Sequence, residues 1–331
     1  MIDTAFLKAL TEVPSVGTAC QPIIHLLQGR IGAAYVSRWV SDGYILFQKR
    51  SATTSDLKVL YVAHLDEIGG CVYGKYADGD GYITRCWGNN PSIYANAKLQ
   101  AFDYLAESAD EAFPVVGCVK SIDNEERMVL TGEGIRAYRT VFTFRQETTF
   151  DGDTIAGKAL DPRVTLYSAL EAVLQLNSPE VGLLCVMAEE CAMDVARKAV
   201  VYLQENAPNL QVIVNADVPW IRNIGEGRLD MPAIRIFEGR NFIDPMVGIH
   251  TADVLERKGV EFHLSAARSG SQTLLFTPLA PTLSIALPSD GVHLPIVNMS
   301  LKGTQRCVTL LKAVGEASLN GELLPTARVS V

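Results

Sequence analysis

The chain has 331 residues, 48% of them hydrophobic, so it can bury a large core and is long enough for one large domain plus a smaller one, or for two comparable ones. Lysine and arginine total 29 against 37 aspartates and glutamates, which gives a net charge of −8. Because no basic run offers a track for phosphates, we expect neither nucleic acid nor an anionic membrane as a partner.

The first residues show no basic segment followed by an apolar stretch, and no later segment reaches the roughly 20 apolar residues of a membrane span. The 7 cysteines contain no CxxC pair, and most lie in apolar stretches where a thiol packs as a small hydrophobe. We therefore expect a cytoplasmic protein without a disulfide framework.

Apolar residues in the first thirty positions recur every three or four residues, with interruptions at Pro14 and Gly17. This spacing predicts two short helices. The apolar runs at residues 44–47 and 59–63 predict strands. The second run is apolar on both faces, as in a strand that helices cover on both sides of a sheet.

The residue pattern of the sequence changes between about residues 69 and 151. Short runs rich in β-branched and aromatic residues are separated there by glycine and acidic turns. This pattern predicts a small all-β, barrel-like domain at residues 69–151. It would be inserted into a larger domain formed by residues 1–68 and 152–331.

Helical and strand patterns alternate after the inserted segment. Strands are predicted at 181–187, 210–214, 234–236 and 282–287, and helices at 164–176, 192–205 and 301–317. Alternation of this kind predicts an α/β fold with a mostly parallel central sheet flanked by helices.

Polar side chains that suit a metal ion follow the predicted strands, and one more precedes a helix. In an open α/β sheet, ligands bind outside the carboxyl ends of the strands. Imidazole and carboxylate ligands suit a borderline divalent ion such as zinc, with cobalt or manganese as substitutes. With five or more ligands, two ions that share a carboxylate fit better than one. The candidates are His64, Asp161, Glu189, Glu190, Asp217 and His293.

Spacing suggests different roles within this set. His64 and Asp66 are two residues apart on an extended segment, so Asp66 can orient the imidazole from the same side. The adjacent Glu189 and Glu190 point in different directions, so one can bind metal while the other acts as general base. Before proline a cis bond costs only about 0.5–1 kcal/mol, and a cis turn would direct Asp161 between two ions.

Each candidate has a structural explanation when it is taken alone. A histidine after a strand is commonly a hydrogen-bonded structural residue, and paired glutamates before a helix complement its dipole. Their joint placement outweighs these explanations, because 2 of the 5 histidines fall in the set. The other histidines, His25, His250 and His263, are interpreted as structural.

The same residues resemble those of the tetrahedral and glutamyl aminopeptidases, a family of dinuclear metallopeptidases. That family carries the segments Ala-His-Met-Asp-Glu-Ile-Gly and Lys-Ala-Leu-Asp-Asp-Arg, then a Glu-Glu pair, an Asp and a final His. Here the first two read Ala-His-Leu-Asp-Glu-Ile-Gly at residues 63–69 and Lys-Ala-Leu-Asp-Pro-Arg at 158–163. The match keeps the family's order over nearly the whole chain.

The resemblance implies a dinuclear zinc exopeptidase-like fold and an aminopeptidase that cleaves N-terminal residues from short peptides with metal-activated water. It also implies a homo-oligomer, a dodecamer or otherwise a dimer, in which the inserted domain contributes to assembly and substrate access. The implied roles are His64 and Asp217 on one ion, Glu190 and His293 on the other, Asp161 as the bridge and Glu189 as general base.

The sequence departs from the family around these residues. Pro162 replaces the family's second Asp, and residues 269–273 read Ser-Gly-Ser-Gln-Thr where the family has Gly-Gly-Thr-Asp-Ala. The segments after the Glu-Glu pair and around the final histidine differ as well. Two alternatives therefore stay open, an amidase or deacylase on a small non-peptide amide and a catalytically silent assembly or binding protein.

Overall fold

The computed structural model describes residues 1–39, 43–77, 79, 81–88, 90–95, 97–122, 125–223 and 227–323. The helices are α1 Thr4–Glu12, α2 Gln21–Ile31, α3 Ser92–Ala95, α4 Leu160–Leu176, α5 Arg197–Asn206, α6 Pro245–Arg257, α7 Thr273–Phe276 and α8 Leu301–Leu319. Short 3-10 helices lie at Thr54–Asp56, Ala109–Glu111, Met193–Ala196 and Ile221–Asn223. The strands are β1 Tyr35–Trp39, β2 Tyr44–Lys49, β3 Val59–His64, β4 Gly70–Lys75, β5 Tyr82–Cys86, β6 Leu99–Asp103, β7 Phe113–Ile122, β8 Glu125–Thr131, β9 Thr140–Phe144, β10 Thr149–Asp151, β11 Thr154–Gly157, β12 Val181–Val186, β13 Val212–Asp217, β14 Ala233–Glu238, β15 Asn241–Phe242, β16 His263–Ala267, β17 Thr282–Ala286 and β18 Val297–Ser300.

One large sheet organises the chain, with strand order β1-β2-β12-β3-β13-β17-β14-β15 and β16 paired to β14. The four central strands β12, β3, β13 and β17 are parallel, and antiparallel strands extend the sheet on both sides. The predicted α/β fold with a flanked central sheet is confirmed. Its parallel part is the centre, where the carboxyl ends of the strands meet at one edge.

Helices cover both faces of this sheet, as the two-sided apolar pattern predicts. Val59, Tyr61 and Ala63 of β3 pack into one core with α1, α2, α4 and α8. Leu60 and Val62 point the other way, into a core with α5 and α7. Because successive side chains of a strand alternate between faces, only a run that is apolar throughout can fill both cores.

The all-β segment forms a closed barrel in the order β4-β5-β8-β7-β6-β9, with antiparallel neighbours throughout. Closure removes free sheet edges. Tyr94 fills the interior, stacked on Phe144 at 4.8 Å between ring centroids and edge-on to Phe142. The small all-β unit is thus confirmed, whereas β10 pairs instead with β11 in a three-stranded sheet that includes β18.

Two predicted helices have different limits in the structure. The helix predicted at 164–176 begins earlier, at Leu160, and residues 192–205 divide into a 3-10 helix followed by α5. The earlier start of α4 matters because it brings Asp161 into the first turn. No helix of the described part of the chain is long and apolar enough to cross a membrane.

Candidate metal centre

The carboxyl edge of the central sheet gathers the candidate residues. β3 ends at His64 and β13 ends at Asp217, so both side chains leave the sheet at the same level. The segment after β12 carries Glu189 and Glu190. Val186, the last residue of β12, pairs with His64 of β3. The loop between β17 and β18 brings in the final histidine, and α4 begins beside the same edge with Asp161.

His64 is oriented by its own loop. Its Nδ1 lies 3.1 Å from the main-chain oxygen of Asp66, which can only accept, so Nδ1 must donate. In its neutral form the ring therefore presents a lone pair at Nε2, which lies 3.3 Å from Asp161 Oδ1 and 3.8 Å from Asp217 Oδ1. His64 is 2% exposed. This tautomer is the one that binds metal through Nε2.

His293 is oriented in the same way by a distant segment. Its Nδ1 lies 2.9 Å from the main-chain oxygen of Gly88, which follows β5 of the barrel. Its Nε2 then faces Glu190 Oε2 at 3.1 Å and Asp161 Oδ2 at 3.8 Å. The His293 side chain is 31% exposed, so this part of the site opens to solvent.

Asp161 connects the two histidines. Its two carboxylate oxygens face different imidazoles, and it belongs to two groups of potential ligands, one with His64 and Asp217 and the other with Glu190 and His293. Asp161 has φ −87° and ψ 114° inside the first turn of α4, as expected for a residue that precedes proline. The Asp161–Pro162 peptide bond is cis, as the sequence suggested.

The residues present fit a divalent cation. Imidazole lone pairs and carboxylate oxygens meet at 3.1–3.8 Å, so acceptors face acceptors unless a proton or a cation lies between them. Asp161 Oδ1 is buried and has no hydrogen-bond partner among the described residues. A cavity of about 10 Å³ adjoins Asp161, Glu190 and His293, which is room for about one water-sized particle.

Protons and cations compete for these groups. Burial raises the pKa of Asp161 to about 6 and that of Glu189 to about 8. Burial opposes protonation of the histidines, but the facing carboxylates outweigh it. They raise the pKa of His64 well above its ordinary value and that of His293 to about 9. A proton thus neutralises part of the charge, and a divalent ion must displace it.

Asp66 supports the glutamate pair as well as His64. Its carboxylate accepts the main-chain N–H of Glu189 at 3.0 Å and that of Glu190 at 3.2 Å. The carboxylate is 3.5 Å from His64 Nδ1, farther than the carbonyl oxygen of the same residue. The sequence suggested a carboxylate contact to the imidazole, and the structure gives that task mainly to the carbonyl.

A buried arginine holds Asp217, and the sequence analysis missed it. Arg235 Nη2 lies 3.1 Å from Asp217 Oδ2 and 2.9 Å from Glu238 Oε1, and its Nε donates to Ser284. Burial raises the pKa of Asp217, but the charge of Arg235 outweighs it and the pKa is lowered. Glu238 in turn accepts from Ser271, so the unusual 269–273 segment supports this network.

Another buried ion pair lies below the site, where the barrel joins the sheet. Lys158 Nζ is 2.6 Å from Glu67 Oε1, and the two side chains are 1% and 2% exposed. Thr143 of β9 donates to Glu67 Oε2 at 2.8 Å. These contacts tie the loop after β3, the segment before α4 and the barrel together.

The remaining histidines lie outside the site, and two of them have ordinary main-chain partners. His25 Nδ1 contacts the main-chain oxygen of Glu107, and His250 Nε2 that of Glu322. Arg235 and Gly88 were missed for different reasons. For Arg235 the sequence did offer a sign, a charged residue within an apolar strand run. For Gly88, no neighbouring residue in the sequence indicates a contact with His293.

No protein-family model matches the sequence, and a comparison with curated proteins finds no match. Solved structures do match in fold. An aminopeptidase from the archaeon Desulfurococcus kamchatkensis superposes with a TM-score of 0.80 at 18% identity, covering 98% of each chain. The TET1 peptidase of Pyrococcus horikoshii gives 0.80 at 16% identity, covering 94% of this chain and 98% of that one.

Yeast aminopeptidase 1 is more distant, with a TM-score of 0.68 at 10% identity over 96% of this chain and 97% of its own. The fold implied by the family resemblance is therefore confirmed over almost the whole chain. At such low identities the likeness establishes the fold, and the chemistry has to be argued from the site.

Proposed function

We propose that the chain is a metal-dependent aminopeptidase that removes N-terminal residues from short peptides. The observation that carries this proposal is the Asp161 carboxylate, which one group of potential ligands shares with the other. A carboxylate whose oxygens face two imidazoles can hold two divalent ions side by side, as a two-metal hydrolytic site needs. The likeness in fold to solved aminopeptidases supports the choice of reaction.

Two divalent ions would be held by five side chains. We favour zinc, with cobalt or manganese as substitutes, because the donors are imidazole nitrogens and carboxylate oxygens. When bound, such ions polarise a carbonyl oxygen and lower the pKa of a water molecule. The proposed ligands are His64 and Asp217 for one ion, Glu190 and His293 for the other, and Asp161 for both.

Glu189 is the proposed general base. It belongs to a group with His64 and Glu190 whose donor atoms lie within 4.8 Å of one another. Because Asp66 holds its main-chain N–H, the backbone of Glu189 is held beside the ligands. In this role Glu189 takes a proton from water and returns it to the leaving amine.

The division of the chain is part of the proposal. Residues 1–68 and 152–331 would form the catalytic domain, and residues 69–151 an inserted domain that contributes to substrate access and assembly. One of the solved structures is described as a dodecamer, and another as a tetrahedron or a large octahedral shell. We therefore propose a homo-oligomer, a dodecamer or otherwise a dimer, and light scattering that shows a monomer would contradict it.

A substrate panel with one matched pair of variants tests the reaction. Purified protein would be assayed with zinc, cobalt or manganese on aminoacyl amides and on N-acetylated equivalents. We expect hydrolysis only of the free amines. Glu189→Gln should lose about 10²–10⁴-fold in kcat while its metal content stays unchanged. The control, Glu205→Gln, changes an exposed glutamate of α5 and should keep full activity.

Two outcomes would count against the proposal. Equal turnover of the N-acetylated compounds would make the enzyme an amidase rather than an aminopeptidase. A wild type that binds no divalent ion, with turnover that Glu189→Gln does not change, would indicate a silent binding protein.

A further inference from the structure

The loop after β5 leaves the barrel and reaches the carboxyl edge of the central sheet. The main-chain N–H of Trp87 donates to Gly69 at 2.8 Å, and the Tyr94 hydroxyl donates to the carbonyl of Trp87 at 2.8 Å. Tyr94 is completely buried in the barrel core. The backbone around Trp87 and Gly88 is therefore fixed by the barrel itself.

The carbonyl of Gly88 determines which nitrogen of His293 can bind a metal. A carbonyl oxygen only accepts, so the 2.9 Å contact requires a hydrogen on His293 Nδ1. When the ring is neutral, as a metal ligand must be, the lone pair is then on Nε2, the nitrogen that faces Glu190 and Asp161. Loss of this acceptor would remove the hydrogen bond that places the hydrogen on Nδ1, and the tautomer with Nε2–H points a proton at the metal position.

Glycine is the residue that this backbone accepts at position 88. Its φ is +79°, in the left-handed region that other residues rarely adopt. A Cβ built there would lie 2.2 Å from Cγ2 of Ile68 and 3.7 Å from His293 Nδ1. Ile68 is buried and belongs to the barrel core cluster, so it has little room to move.

The barrel is also held against the catalytic domain. Thr143 of β9 donates to the buried Glu67, which is paired with Lys158 just before α4. The strand β9 that carries Thr143 also pairs with β4 and β6 in the closed barrel. A change in how the barrel is seated would therefore move Gly88 relative to His293.

We infer that the inserted barrel is a working part of the metal centre and that Gly88 is a positioning residue for His293. The inference rests on the proposed two-metal function. It makes the ion between Glu190, His293 and Asp161 depend on the seating of the barrel. The ion between His64 and Asp217 does not depend on the Gly88 carbonyl, because the carbonyl of Asp66 orients His64.

Zinc titration of the metal-free protein against a chelating dye tests this inference, with Gly88→Ala compared to Gly74→Ala. Gly74 lies in β4 of the same barrel, and a Cβ there would meet no described atom within 4 Å. Wild type and Gly74→Ala should each bind two ions. Gly88→Ala should bind one ion with unchanged affinity and the other about 10–100-fold more weakly, the usual effect of losing an outer partner of a ligand.

The outcomes separate the inference from the proposed function. Two ions bound equally well by Gly88→Ala and wild type would overturn the inference and leave the two-metal proposal intact. A wild type that binds no zinc would overturn the proposed function, and with it the role of Gly88.

A measurement on the wild type keeps the inference testable if Gly88→Ala does not fold. In ¹⁵N spectra of the zinc-loaded protein, with His293 assigned from a His293→Gln variant, Nδ1 should carry a hydrogen and Nε2 should be the coordinating nitrogen. Coordination through Nδ1, or a hydrogen on Nε2, would contradict the role of the Gly88 carbonyl.

Discussion

The two halves of the candidate metal centre are built differently, although each presents an imidazole Nε2 to the same aspartate. The half around His64 takes its residues from the ends of central strands, and His64 itself is 2% exposed. The half around His293 is 31% exposed at the histidine and depends on a loop whose orienting acceptor comes from the barrel.

The comparison shows which contacts hold the ligands of each half in position. In the first half, His64 and its orienting carbonyl are two residues apart, and a buried arginine fixes Asp217 from behind. In the second half, the histidine and its acceptor are 205 residues apart in the sequence. The first half is thus fixed by local backbone and the central sheet, and the second by the contact between the barrel and the loop that carries His293.

Replacing the shared aspartate should break both halves at once. In Asp161→Asn one carboxylate oxygen becomes an amide nitrogen that carries hydrogens and cannot bind a cation. We expect both ions to be lost on dialysis and activity to fall further than the roughly 10–100-fold typical of outer-partner changes. Mass spectrometry of bound metal would measure this, and retention of two tightly bound ions would show that Asp161 is not shared.

Removing the buried arginine should damage only the His64 half. Arg235→Gln leaves Asp217 and Glu238 without their cation, so we expect about 3–5 kcal/mol less free energy of unfolding. The ion at His64 should also bind about 10–100-fold more weakly. Urea unfolding and zinc titration measure the two effects.

Arg228→Gln is the matched control, because Arg228 is 61% exposed and pairs with Asp230 at the surface. It should change neither quantity appreciably. Equal unfolding free energies and zinc affinities for the two variants would contradict a role for Arg235 in the His64 half.

Acidification should weaken metal binding in both halves. The pKa of His293 is raised to about 9 and that of His64 is raised as well, so at neutral pH the metal-free protein holds protons that a bound ion displaces. Affinity should therefore fall as pH drops from 8 to 6, by about tenfold per pH unit for each proton displaced. Calorimetry in buffers of different ionisation enthalpy would count these protons, and an affinity independent of pH would contradict the shifts.

The smallest effect is expected at the joint between barrel and sheet. Thr143→Val keeps the shape of the side chain but leaves Glu67 Oε2 without its hydroxyl donor. Unfolding free energy should decrease by about 1–3 kcal/mol. Thr131→Val, at an exposed barrel position, serves as the control, and indistinguishable urea midpoints for the two variants would show that the joint does not depend on this bond.

The difference between the halves also explains what could be predicted from sequence. His64, Glu190 and Asp217 follow apolar runs, and parallel strands bring their carboxyl ends together, so their joint position after these runs was enough to select them as candidates. The cis turn at Asp161 could be anticipated because the cost of a cis bond before proline is small.

Contacts between distant segments could not be predicted in this way. Arg235 lies in a predicted strand, but its partner Asp217 is identified only when β14 is seen to pair with β17 beside β13. The departure at residues 269–273 indicated only a difference from the family, whereas in the structure Ser271 donates to Glu238 behind the ligands. Nothing in the sequence indicates the role of Gly88, since that role belongs to its main-chain carbonyl and depends on how the fold brings Gly88 close to His293.

Anomalous diffraction at the zinc edge from crystals of the zinc-loaded protein tests the two-metal centre most directly. It should show two peaks about 3.5–4 Å apart on either side of the Asp161 carboxylate. One peak should contact His64 Nε2 and Asp217, and the other His293 Nε2 and Glu190. A single peak, no peak, or coordination through Nδ1 of either histidine would contradict the proposed centre.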